Sequence, residues 1–150
     1  LLLDEADALM AKVMQLGGDN SDSYVLAAMV ANARLAVDGQ NRWQKYGAIF
    51  SENLEKAKGL NADNPRIYYL KGTSLFFTPE MFGGGKKLAL PLFEQAKPLF
   101  AKETKGSVLV PHWGTEANDY FIAECNKPDE APVEEDAKGK KEKKKKEKGN

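Results

Sequence analysis

A chain of 150 residues with 42% hydrophobic side chains has the size of one domain and enough apolar material for one core. Its 22 basic and 22 acidic side chains cancel, so no overall field selects nucleic acid as a specific partner. Cys125 is the only cysteine, which excludes an internal disulfide, and no apolar run approaches the roughly 20 residues that span a bilayer.

The chain opens inside an amphipathic pattern. Leu2, Ala6, Leu9, Met10, Val13 and Leu16 share one face, with Asp4, Glu5, Asp7 and Lys12 on the other, until Gly17 and Gly18 stop the helix. Starting there without Met, it reads as a fragment whose upstream helices, and any export signal, lie outside this sequence. An Ala-rich second helix is predicted over residues 22 to 37, capped by Asn20 or Ser21 and ended by Asp38 and Gly39. A third falls between residues 42 and 58, presenting Ile49, Phe50, Leu54 and Ala57, with Trp43 and Tyr46 over its beginning and Gly59 as a left-handed C-terminal residue. The fourth has the sharpest start: Asn64 caps the free amides and Pro65 sits in the first turn, where a missing N–H costs nothing. It should end at Phe77, before Thr78 and Pro79.

A flexible glycine-rich loop then leads to a fifth helix over residues 86 to 102, which Pro91 should kink and Pro98 tighten or end. The sixth covers about residues 112 to 126, with Trp113, Ala117, Tyr120, Phe121 and Ala123 as apolar positions. From Pro128 the aromatics stop and Asp, Glu, Lys, Gly, Ala and Pro take over. Such a composition cannot bury enough apolar area to order itself, so residues 1 to 127 form the domain and residues 128 to 150 a disordered tail, acidic first and then Lys-rich.

Three segments resemble one another. Tyr24 with Ala28, Tyr68 with Gly72, and Trp113 with Ala117 each place a small residue four positions after an aromatic. The aromatic recurs after 44 residues (Tyr24 to Tyr68) and again after 45 (Tyr68 to Trp113). A bump and a notch one turn apart let a second helix lie close. The pattern resembles the tetratricopeptide repeats, with Tyr68, Gly72 and Leu75 on a first helix, Ala89, Phe93 and Ala96 on a second, and Leu54 and Ala57 closing the preceding repeat. The resemblance implies an all-α stack of antiparallel helical hairpins, a right-handed α-solenoid fragment of about six helices. Two departures stand out: the period exceeds the usual ~34 residues, implying lengthened loops near residues 38 to 42 and 78 to 87, and Lys71 replaces a usual leucine. The runs at residues 64 to 68, 78 to 86 and 111 to 114 look like those of bacterial tetratricopeptide-like proteins, which implies a periplasmic or cell-envelope location.

Catalytic chemistry finds no foothold. The stretch Gly83-Gly84-Gly85-Lys86-Lys87 lacks the phosphate-loop spacing and has Leu88 where the hydroxyl should be, although Lys86 and Lys87 retain the option of anion capture. His112 is the sole histidine, too few for a histidine metal site, and reads as a helix-start residue; no histidine neighbours Cys125. Glu52 and Glu55, in company with Lys56, read as solvation. The implied function is a non-enzymatic scaffold without cofactor or metal that receives a protein or peptide in the groove lined by first helices. Candidates there are Met29 and Asn32 on the second helix and Arg66, Tyr69, Thr73, Phe76 and Phe77 on the fourth, with Phe82 as a loop anchor. Phe76 and Phe77 equally suit a core role. Two alternatives remain: an envelope protein capturing a glycan or nutrient with Trp43, Phe82 and Trp113, and an electrostatic adaptor acting through the lysines. Oligomeric state is not legible.

Overall fold

A computed structural model describes residues 2 to 103 and 108 to 128. These form six α-helices, α1 (Leu2–Gln15), α2 (Ser21–Val37), α3 (Gly39–Leu60), α4 (Pro65–Phe77), α5 (Lys86–Lys102) and α6 (Thr115–Cys125), plus a 3-10 turn at Glu80–Phe82. The tail, apart from Pro128, lies outside the described residues.

α2, α3 and α4 begin where a capping side chain directs. The Asn20 side chain accepts the Ser23 amide at the start of α2. Asn64 accepts the Arg66 amide at the start of α4, with Pro65 in the first turn. Asp38 closes α2 and caps α3 at once, accepting the Asn41 amide. The lengthened loop foreseen at residues 38 to 42 is therefore absent: those residues extend α3 to 22 residues. Gly59 is also inside α3, which ends at Asn61 instead of in a left-handed glycine.

α2 packs along α3, α4 along α5, and α6 against α5, while α1 leans on α2. The core between the two hairpins is Val25, Ala28, Ala31, Phe50, Leu54, Ala57, Ile67, Tyr68, Leu70, Ala96 and Phe100, with Tyr24 packed against its edge. Two of the aromatic–small pairs sit at these hairpin contacts. Ala28 is fully buried. Gly72 is buried where a Cβ would come 2.7 Å from the Phe93 ring, so the absent side chain sets how closely α5 approaches α4. Ala89, Phe93 and Ala96 are the fully buried face of α5.

The third pair departs from the pattern. Gly114 has φ +111 and a Cβ there would meet the Phe100 ring at 2.8 Å, so α6 starts at Thr115 and not near residue 112. Trp113 packs on the core from before the helix, Ala117 is half-buried, and the fully buried residue of α6 is Asn118, whose Nδ2 donates to the Phe93 carbonyl at 2.9 Å. Pro91 and Pro98 both lie inside an uninterrupted α5, on its exposed side, so neither ends the helix. Each deletes one backbone bond, leaving the carbonyls of Lys87 and Glu94, themselves exposed residues, without a helical donor.

Polar side chains fix the two hairpins side by side. Asn64 Nδ2 donates to Ser21 Oγ and Asp22 Oδ1, both at 2.9 Å, and Ser21 Oγ donates to the Ala57 carbonyl at 2.9 Å. α2 and α4 thus start together. Lys71, in the place of a leucine in the repeat, reaches across to Glu55 of α3 at 2.5 Å.

Candidate functional site: an aromatic-edged groove

Because α2 and α4 start side by side, their faces about ten residues further on, roughly 15 Å along the axis, flank an open groove. Asn32, Leu35 and Ala36 line one wall, and Thr73, Ser74, Phe77 and Thr78 the other. Its volume is about 410 Å³, within the roughly 300–1,000 Å³ of small-molecule sites. None of these lining side chains ionises near neutral pH. Of the residues expected in a groove, the structure brings Asn32, Thr73 and Phe77 together, with Met29 exposed one turn earlier on α2.

Phe77 is 72% exposed and belongs to an aromatic cluster whose hub is Phe121. The Phe121 ring stacks on Phe93 at 5.1 Å with 6° between planes. It meets Phe76 edge-on at 5.1 Å, Phe77 at 5.8 Å and Tyr120 at 5.4 Å, and lies 6.2 Å from Tyr69. Such pairs contribute ~0.5–1.5 kcal/mol each beyond burial. Tyr69 and Phe76 are thus half-buried supports, and burial raises the Tyr69 phenol above its ordinary pKa. Phe77 and Tyr120, the latter 59% exposed, are the two faces of the cluster left open. Sequence reasoning placed Tyr120 and Phe121 among the apolar positions of a helix and overlooked them as site residues, along with Leu35, Ala36 and Ser74. The consecutive aromatics at 120 and 121 were the available signal, because adjacent helical positions cannot both point inward.

Arg66 is not a groove residue. It is 1% exposed, paired bidentately with Glu103 at 2.6 and 3.1 Å, and its guanidinium carbon lies 5.0 Å from the Trp113 ring centroid and 5.6 Å from that of Phe100. It clamps the end of α5 and the chain entering α6 to α4. Trp113 in turn stands edge-on to Tyr69 at 6.3 Å.

His112 is exposed, with Nδ1 3.2 Å from the Val110 carbonyl. It borders a second hollow with Phe100, Glu103, Trp113 and Glu116, away from the α2–α4 groove. Burial raises the Cys125 thiol above its ordinary pKa. Lys86 and Lys87 open α5, and Phe82 projects from a turn that is tightly hydrogen-bonded, contrary to the flexible loop foreseen: the Gly84 amide donates to Pro79 O, Gly85 to Leu75 O, and Thr78 Oγ1 to Ser74 O at 2.7 Å. Trp43 is exposed on the first turns of α3.

No family profile matches the chain, and no curated protein matches it. Among solved structures, the HusA haemophore from Porphyromonas gingivalis is similar, with 40% sequence identity over 87% of this chain and a TM-score of 0.73. The chain spans 65% of that protein's length.

Proposed function

We propose that this chain is a non-enzymatic binding protein of the cell envelope that takes up a flat, mainly apolar ring of the porphyrin class in the groove between α2 and α4. The observation that carries this reading is Phe77, exposed on the wall of an uncharged groove and held edge-on by the Phe121 ring, which also carries the exposed Tyr120. Water-exposed rings on a rigid support offer faces for stacking and apolar contact at little entropic cost. The 40% identity to a haemophore supports this choice of ligand class. The hollow beside His112 is the weaker candidate, since Glu116 on its wall would repel the carboxylates of a porphyrin.

A second reading, a tetratricopeptide-type scaffold for an extended peptide, draws support from the side-by-side first helices α2 and α4 and from the Gly72–Phe93 notch. Both readings use the same face.

Haemin and iron-free protoporphyrin titrations, followed by absorbance and tryptophan fluorescence, separate them. We expect saturable one-to-one binding of both, weakened about tenfold or more by Phe77→Ala or Tyr120→Ala, the loss of one stacked aromatic contact and its burial, and unchanged by His112→Ala. Absence of binding, or loss of it with His112→Ala alone, would sink the porphyrin-groove reading.

A further inference from the structure

The groove between α2 and α4 changes character along its length. Counted from the helix starts, Asn32, Thr73 and Ser74 come first, and Leu35, Ala36, Phe77 and Thr78 follow about one turn further on. Asn64 ties the beginnings of the two helices together, so positions equally far along them stand level. Asn32 is 11 residues beyond Ser21 and Ser74 is 9 beyond Pro65, a difference of about 3 Å along the axis, on opposite walls.

The polar side chains of the groove differ in what they can donate. Thr73 Oγ1 donates to the Leu70 carbonyl at 2.9 Å and Thr78 Oγ1 to the Ser74 carbonyl at 2.7 Å, so each has spent its one proton on its own helix. The carbonyl of Leu70 is also the usual acceptor for a hydroxyl at position 74, and Thr73 occupies it. Ser74 Oγ and Asn32 Nδ2 accordingly donate to no group among the described residues. Asn32 is exposed and Ser74 half-buried, which leaves both open to a ligand. No cationic side chain lines the groove.

We infer that Asn32 and Ser74 are the specificity-determining residues of the groove. They donate hydrogen bonds to the carboxylate edge of the ring ligand and thereby orient it, carboxylates towards the helix starts and apolar edge against Leu35, Ala36 and Phe77. This assignment rests on the porphyrin reading of the groove and adds to it which groups make the polar contacts. Neutral donors lose little to added salt, unlike a lysine or arginine clamp, and they discriminate by the charge of the acceptor.

Deuteroporphyrin and its dimethyl ester, titrated in the same aqueous dimethyl sulfoxide, test the assignment. The free acid should bind about tenfold more tightly than the ester, the margin of two charge-assisted hydrogen bonds over two neutral ones. Asn32→Leu and Ser74→Ala should each weaken the acid and leave the ester unchanged. Asn32→Asp, of the same size but negative, should reverse the preference by repelling the carboxylates. Phe77→Ala should weaken both ligands alike. Equal affinity of the parent for acid and ester overturns the assignment, as does a preference that survives Asn32→Asp and Ser74→Ala. The groove reading stands in either case if Phe77→Ala still weakens both ligands. Loss of ester binding together with acid binding in Asn32→Leu would mark a role in shape alone and likewise overturn it. Binding of neither ligand overturns the groove reading and the assignment together.

Discussion

Gly72 and Phe93 divide one volume between them, and the Phe93 ring has no room to yield because Phe121 stacks on its other face. Gly72→Ala should therefore destabilise the fold by ~1–3 kcal/mol, the range for overpacking, although alanine is the better helix former. Urea unfolding would measure it, and unchanged stability would show that α4 and α5 separate more easily than the contact implies. Arg66 is a second residue whose role lies in its shape. Its Nε has no partner among the described residues, while its two terminal nitrogens hold Glu103 and its guanidinium lies against the Trp113 and Phe100 rings. Lysine cannot reproduce a planar bidentate fork sandwiched by rings. Arg66→Lys should lose ~1–3 kcal/mol, as for a hydrogen-bonded charged group left imperfectly paired, and should shift Trp113 fluorescence, since the indole would lose the planar guanidinium it faces.

At the scale of elements, α1 differs from the other α-helices: it has no buried residue and packs mainly on α2. Its attachment depends on Arg34 of α2, whose Nη2 reaches Asp4 at 2.8 Å and Asp7 at 2.5 Å. The hydrogen bond from Arg34 lowers the Asp4 pKa below its ordinary 3.8. A lowered folded-state value means that this contribution is fully present above the ordinary value and is lost as pH falls through the lowered one. α1 amides should exchange faster than those of α2 to α5 at neutral pH, and faster still, relative to the others, in Arg34→Ala. Acidification from the ordinary carboxyl value of 3.8 down through the lowered one should progressively reproduce the Arg34→Ala pattern in the native protein. Uniform protection across α1 and α2 in mass-spectrometric hydrogen exchange would contradict this. α5 shows the opposite case: Pro91 and Pro98 lie on its exposed side, so the missing bonds open to water and its buried face of Ala89, Phe93, Ala96 and Phe100 stays continuous.

For the whole molecule, the groove follows from how the hairpins are joined. Asn64, Ser21 and Asp22 fix α2 and α4 at their starts, and an open face remains further along, where Phe77, backed by Phe121 of α6, stands on the wall. Helix type, number and most boundaries were legible in the sequence, because Asn64-Pro65, Asn20 and Asp38 are local signals and the spacing of apolar residues is a property of one helix at a time. The pairing of small residues with aromatics was legible for Ala28 and Gly72 for the same reason. What only the tertiary structure decided were matters that depend on neighbours distant in sequence. Arg66 left the surface because Glu103, 37 residues on, and Trp113 enclose it. Phe100 pressing on Gly114 moved the start of α6 and brought Asn118 inward in place of Ala117. Phe77 and Tyr120 joined one aromatic cluster through Phe121, a contact between helices that no periodicity within either one contains.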